Sequence, residues 1–375
     1  MNELEAFGLK RWPFSSTPSP DQSLIWAGRP ELKHQVDRLI TSWRLDDSNS
    51  LYLIWATWGA GKTHFLCFLR QQVETRSEPG FASVYCEVPN GAFHFLDLYR
   101  QIVQNLPIEK FLDLVARKLA TRLDALGMPG IGRHLDVEKA LWYIATDAGG
   151  KGHIASRWLQ AAAGVTQREL NSTGITSPIR GTTDAASVLA ALWNLFSDCS
   201  GASTRLLLLL DEYQRVGALS PVRSNEISDG LLTLFNSSKR GIKVFLSLRS
   251  GDYDNVRIIV PRALVSRASR DAFKIDELSG QLGLTFVAEL LKQVRPPGNW
   301  EAYYPFTHDT VEGVLADLQC VGPITPRRVL QCLGHVLSTV NSERHISTSQ
   351  PISLGEMRAI ISSPDYDAVR TDVED

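Results

Sequence analysis

The sequence predicts an α/β fold: a parallel five-stranded sheet flanked by helices, interrupted by a helical insertion and followed by a small C-terminal α-helical lid domain. Three observations predict it. Leu51–Trp55 is a hydrophobic strand that runs into Ala56-Thr-Trp-Gly-Ala-Gly-Lys-Thr63, and Leu206–Leu210 is a purely aliphatic strand ending in Asp211-Glu212. Aliphatic runs of this kind belong to strands buried on both faces, as in a parallel sheet. From Gly280 onward, by contrast, the apolar positions recur at helical spacing.

Residues 1–29 form an N-terminal arm. Its Phe7-Gly-Leu-Lys-Arg-Trp-Pro-Phe14 segment is followed by Ser-Ser-Thr-Pro-Ser-Pro20, too rich in proline and serine for a regular element. The arm's aromatics either pack near a bound base or staple the arm to the core. The main domain spans 30–279. Pro30 suits the first turn of a helix, and Leu32, Val36, Leu39, Ile40 and Trp43 line one face of it. The helix after Thr63 offers Phe65, Leu66, Phe68 and Leu69 to a sheet, and Ala82–Val88 reads as the second strand.

Residues from about 93 to 200 are mostly helical by periodicity, most clearly Leu141–Ile144 and Val188–Phe196. Lys62 and Asp211 stand 149 positions apart, whereas a strand–helix–strand unit needs about 30 residues. A helical insertion at about 105–183 accounts for the excess, with flexible segments at Gly149-Gly150 and Gly174–Gly181. Ile227–Phe235 reads as a helix, Lys243–Leu248 as a buried strand ending at Arg249, and Ala272–Leu278 as a fifth strand. The lid domain, 280–345, holds helices at Leu282–Val294, Thr310–Leu318 and Thr325–Val340, with a Pro-Pro-Gly turn at 296–298. A C-terminal helix and an acidic tail occupy 346–375.

The two strand-to-turn segments carry the chemistry. A phosphate chain needs several backbone N–H groups pointing inward, and a helix N-terminus adds roughly half a positive charge. Gly59, Ala60 and Gly61 supply that loop, the glycines taking conformations a side chain would block. Lys62 then reaches the β- and γ-phosphates, and the Thr63 hydroxyl ligates magnesium. His64 joins the nucleotide-binding set as a packing residue rather than a catalyst. Ala56 stands where such loops usually begin with glycine, and it fits if its φ is negative. At the other strand end, Asp211 holds the magnesium through water, and Glu212 orients and deprotonates the attacking water. These are Walker A and Walker B segments, and they predict ATP binding with magnesium and ATP hydrolysis.

Composition bounds the rest. Hydrophobic content of 43% and charged content of 21% suit a soluble globular chain. No run is long enough to span a membrane, and no basic-then-apolar leader opens the chain. Five scattered cysteines (67, 86, 199, 320 and 332) without a CxxC pair predict a reducing, cytoplasmic setting and no zinc site. The net charge of −2 means that any nucleic-acid contact must come from a local patch, or from one repeated in an oligomer. Lys239, Arg240 and Lys243 would be such a patch if the protein moves on single-stranded nucleic acid through a central channel.

In this order, the segments resemble the AAA+ ATPases, in the branch that holds origin-recognition initiators, transposition-regulator ATPases and general-secretion ATPases. Phe7–Phe14 with Thr17-Pro18 is similar to the "FGL…PF…TP" opening of the latter two groups, and Gly28-Arg-Pro-Glu-Leu32 to the initiators' "GRxxEL" box. Val265-Ser-Arg267 resembles the arginine-finger box, and Thr325-Pro-Arg-Arg-Val329 the sensor-2 helix start. Arg157–Leu159 through Glu169-Leu170 to Asp211-Glu-Tyr-Gln214 is more weakly similar to ATPases of phage-defence loci such as BREX.

The resemblance implies that Arg267 stabilises transition-state charge on a neighbouring subunit's ATP. It implies that Arg327 or Arg328 touches nucleotide from the lid, and that Ser247 or Arg249 serves as sensor 1. It further implies an ATP-assembled homo-oligomer acting on DNA or a DNA-bound partner protein. The residues after about 345 are too few for the winged-helix domain that initiators usually carry. Ala56 and the long insertion motivate an alternative, a nucleotide-holding sensor or scaffold that signals to a partner effector.

Overall fold

The computed structural model describes residues 4, 7–15, 26–75, 81–109, 112–113, 135–200, 205–239, 241–269, 272–343 and 350–362. The chain divides into two compact units, one made of 38–55 and 72–274, the other of 1–37, 56–71 and 275–375. In chain order, α1 (Pro30–Leu45) is followed by β1 (Ser50–Ala56), α2 (Lys62–Glu74), β2 (Phe81–Glu87) and α3 (Phe95–Asn105). Helices α4 (Leu135–Thr146), α5 (Gly152–Leu159) and α6 (Gln167–Thr173) lie within the predicted insertion, before α7 (Thr182–Ser200) and β3 (Arg205–Asp211). Then come α8 (Gln214–Gly217), α9 (Pro221–Ser237), β4 (Ile242–Arg249), α10 (Tyr253–Ile259), α11 (Arg262–Val265) and β5 (Phe273–Lys274). The last described helices are α12 (Gly280–Val294), α13 (His308–Val321), α14 (Pro326–Glu343) and α15 (Leu354–Ile361).

The sheet has the order β2-β3-β4-β1-β5 and is parallel throughout. Every residue of β3 is buried, which is why it reads as an unbroken aliphatic run. The two-residue period of a strand divides these residues between two faces. Leu206, Leu208 and Leu210 join a core with Phe95, Leu98 and Ile102 of α3 and Leu189, Leu192 and Trp193 of α7. Off that core lies an aromatic group: Tyr52 stacks on Phe245 at 4.6 Å, Trp43 and Phe273 each lie 6.0 Å from Phe245, and Trp43 Nε1 donates to Tyr52 Oη at 2.9 Å. The predicted fifth strand is shorter than expected. Only Phe273 and Lys274 pair, with Ile54 and Trp55. Because the strands are parallel, β1 and β3 end on the same edge with β4 between them, the edge where open α/β sheets bind ligands.

The insertion is anchored to this core by backbone carbonyls. Tyr99 donates to the Leu159 carbonyl and Arg100 reaches the Ala161 carbonyl at 3.0 Å, while within the insertion Trp158 Nε1 donates to Ser177 O at 2.8 Å. The glycine segments expected to be flexible form defined turns: Gly150 N–H bonds Asp147 O at 2.9 Å, and left-handed Gly174 caps α6. Most of the stretch between α3 and α4 lies outside the described residues.

Lys243 corrects the channel expectation, because it is fully buried. Its ammonium donates to Ser48 O at 2.7 Å and Ser50 Oγ at 3.2 Å, with Asp46 Oδ2 at 4.0 Å. Lys239 is exposed, and Arg240 lies outside the described residues. Burial pulls the Lys243 pKa down from 10.5 to about 8, against the attraction of Asp46. The folded value is below the unfolded one, so the unfolded chain holds the proton more tightly. Stability is therefore lowest below pH 8 and rises as pH climbs from about 8 towards 10.5. The rise attributable to Lys243 is at most about 3 kcal/mol. Urea unfolding of wild type and Lys243→Met at several pH values should show that increment in the wild type only.

In the other unit, the arm is stapled to the helical core. Phe7, Leu9 and Phe14 are buried with Val287 and Leu291 of α12, Val311 of α13 and Leu333 of α14. Lys10 N–H bonds Val294 O at 2.8 Å, and Phe14 meets Phe306 edge-on at 6.1 Å. Helix α15 packs on α13 through the buried Met357 and Ile360 and the Arg358–Asp317 ion pair at 3.0 Å. The acidic tail lies outside the described residues. Among the described residues no helix is long and apolar enough to cross a membrane.

Candidate nucleotide-binding site

The phosphate loop belongs to the second of these units and has a built backbone. Ala56 closes β1 without entering the left-handed region, so the missing glycine costs nothing there. Gly59 and Gly61 have φ of +73° and +100°, conformations in which an L side chain is strained. At Gly59 a Cβ would also meet Thr325 Oγ1 at 3.1 Å and Arg327 Cβ at 3.2 Å. Helix α2 starts at Lys62, so the N–H groups of its first turn lack intrahelical acceptors and carry the positive end of the helix dipole. Lys62 is 7% exposed, its Nζ 3.5 Å from the Ala56 carbonyl. Thr63 is half-buried beside it, and Phe65, Leu66 and Leu69 beyond them are fully buried.

A residue that sequence reasoning left out of the site braces this loop. Arg29 Nη1 donates to Ala60 O at 2.8 Å, and Nη2 to Asp276 O at 2.7 Å. Burial lowers its pKa to about 10 despite the attraction of Asp276, so it is still charged at neutral pH. The neighbouring Gly28 N–H and Lys33 both bond Glu289 of α12 at 2.8 Å. The Gly-Arg-Pro box was legible as a string, and its spacing could not say which carbonyls the guanidinium would fork between. Arg29→Lys keeps the charge and loses the fork. We expect it to weaken ATP binding about 10-fold, since a buried charged hydrogen bond contributes about 1.5–3 kcal/mol, as calorimetry would show.

Arg327 and Arg328 are told apart by geometry. The Arg327 guanidinium lies 4.2 Å over the Trp58 ring, and the backbone N–H of Arg327 donates to Gly59 O at 3.4 Å. Arg328 turns away and donates to Pro323 O at 2.6 Å. Of the two, Arg327 lies on the phosphate loop. His64 stacks on Trp26 at 5.5 Å, whose ring also stacks on Phe68 at 5.1 Å, which makes it the expected packing residue.

The paired carboxylates belong to the sheet unit. Asp211 is 1% exposed; its Oδ1 accepts the Glu212 N–H at 2.9 Å and its Oδ2 the Tyr85 hydroxyl at 3.1 Å. Glu212 has φ of +57°, left-handed for a residue with a side chain. Gln214 Nε2 donates to its carboxylate at 2.6 Å. Ser247 accepts the Tyr213 N–H on its carbonyl at 2.8 Å, and its buried Oγ has no hydrogen-bond partner among the described residues. The Arg249 side chain is exposed. Within its own unit, a loop with left-handed glycines opening a helix at a Lys-Thr pair is a donor set that phosphate groups require.

No protein-family model and no curated protein matches the chain. Solved structures do. The ORC2 protein of Aeropyrum pernix, in ADPNP and ADP complexes, is 14% identical with a TM-score of 0.57, over 94% of this chain and 72% of that one. The ORC1 protein of Aeropyrum pernix, in complex with DNA, is 12% identical with a TM-score of 0.52, over 97% and 72%. The chain shares their fold, the AAA+ P-loop NTPase fold.

Ser247 lies within β4 and Arg249 ends it, the two positions for which the sequence resemblance implied a sensor role. Arg267 lies two residues past α11, exposed and with no ion pair among the described residues. A contact missed by inspection of the sequence is that of Tyr85 with Asp211. Tyr85 lies on β2, 126 positions from the carboxylate it holds, and only the parallel β2–β3 register brings the two strands together.

Proposed function

We propose that this chain is an ATPase that binds ATP with magnesium, assembles into a homo-oligomer around it and acts as a switch on DNA or a DNA-bound partner. The observation that carries this reading is the left-handed Gly59–Gly61 loop running directly into α2 at Lys62, with Arg327 resting on it. Gly59, Ala60, Gly61 and the first turn of α2 take the phosphates, and Lys62 neutralises the β- and γ-oxygens. Thr63 and, through water, Asp211 would hold magnesium, which when bound screens the phosphate charge. Glu212 takes a proton from the water that attacks the γ-phosphorus as the bond to the β-phosphate oxygen breaks, leaving ADP and phosphate. Arg267 of a neighbouring copy stabilises the charge that develops. Arg327 exchanges the face of Trp58 for nucleotide, so that lid position follows the state of the site.

The DNA part is supported by likeness to a protein solved in complex with DNA. Light scattering with ATP and magnesium, with and without duplex DNA, tests the scheme. Particle mass should rise with ATP at micromolar protein and rise further with DNA. A mass that never changes, with nucleotide tightly retained and not turned over, would replace the switch by the nucleotide-holding scaffold.

A further inference from the structure

The Glu212 carboxylate is aimed by its surroundings. Gln214 Nε2 donates to Glu212 Oε2 at 2.6 Å, while Gln214 Oε1 accepts the backbone N–H of Arg249 at 2.9 Å. The second bond settles the orientation of the amide. A backbone N–H can only donate, so the oxygen faces Arg249 and the NH2 group must face the carboxylate. Tyr213, between the two, gives its N–H to Ser247 O at 2.8 Å. The turn 212–214 is thus tied to the end of β4 at two positions, 247 and 249. Glu212 itself has φ of +57°, a conformation that persists only where neighbouring contacts hold it.

We infer that Gln214 is a positioning residue, which aims Glu212 at the attacking water and couples that aim to the C-terminal end of β4. The inference rests on the reading of Glu212 as the water-activating base. Both ends of the amide are engaged, so a movement of the β4 end at Arg249 reaches the carboxylate through one side chain. Asparagine, one methylene shorter, cannot keep both bonds without moving the turn, and glutamate keeps the acceptor for Arg249 while losing the donor.

The test is ATP turnover and ATP affinity of the full chain. Gln214→Ala should lower kcat about 10- to 100-fold, the scale of a misaimed catalytic group, with KM and ATP binding within about threefold. Gln214→Glu should lose kcat as well, because the donor and not the shape is what it removes. In a Glu212→Gln background, Gln214→Ala should lower the residual single-turnover rate no further, since it acts through the carboxylate that is already gone. A kcat unchanged or raised in either Gln214 variant, or an equal loss in both backgrounds, would overturn the inference. Failure of the ATPase reading looks different: the wild type itself would not turn over ATP, and the inference would fall with it.

Discussion

Glu212→Gln is expected to lower ATP turnover by about two to four orders of magnitude, the contribution of a positioned general base, while ATP affinity changes only a few-fold. The substitution is nearly isosteric and removes the proton acceptor. The residue follows the buried end of β3, and its backbone N–H supports Asp211 at 2.9 Å, a bond that glutamine retains. The Asp211 carboxylate therefore keeps its orientation, and so does the cradle at Gly59–Lys62, which uses other atoms. ATP is held and not cleaved, so the assembled particle should persist where the wild type disassembles as ATP is consumed. Turnover by phosphate release and particle mass by light scattering, on the same sample, check both halves. Wild-type turnover in the variant would remove Glu212 from the catalytic step.

Arg267→Ala should be the more severe loss, about three to five orders of magnitude in turnover, as for arginines that stabilise a transferring phosphoryl group. The side chain is exposed just past α11 and carries no ion pair among the described residues. A partnered surface arginine would be bound up in its own protomer. The in-trans assignment makes a sharper forecast than the loss itself. Mixing Arg267→Ala with Glu212→Gln chains creates interfaces in which one copy brings Glu212 and the other Arg267. Turnover should reappear on mixing two nearly inactive proteins. If Arg267→Ala hydrolysed ATP normally, and ATP left the mass unchanged, both the finger and the assembly would be wrong.

The site was legible in unequal parts. Leu206–Asp211 could be read because a strand buried on both faces needs aliphatic residues throughout, and nothing else in the chain imposes that pattern so cleanly. Gly59, Gly61, Lys62 and Thr63 could be read because the loop's backbone conformation and the helix start are local requirements. Arg327 and Arg328 could not be told apart, because successive helix residues point about 100° apart and only the position of Trp58 decides which one meets the loop. Arg29 and Tyr85 were overlooked for a related reason: a guanidinium or a phenol has no local signature that reveals a partner 31 or 126 positions away. Lys243 misled outright. A charged residue opening a strand reads as exposed, and here the Ser48 carbonyl and Ser50 hydroxyl make burial tolerable.

By itself, then, the sequence determined the parallel α/β sheet, the phosphate loop and the paired carboxylates, because each depends on burial and backbone conformation within a few consecutive residues. The tertiary structure alone decided which arginine lies on the loop, what braces Ala60, how Gln214 holds Glu212 and where the arm's aromatics go. Those are matters of hydrogen bonding and packing between residues distant in the chain. Their geometry exists only after the strands have taken their order and the helices their places.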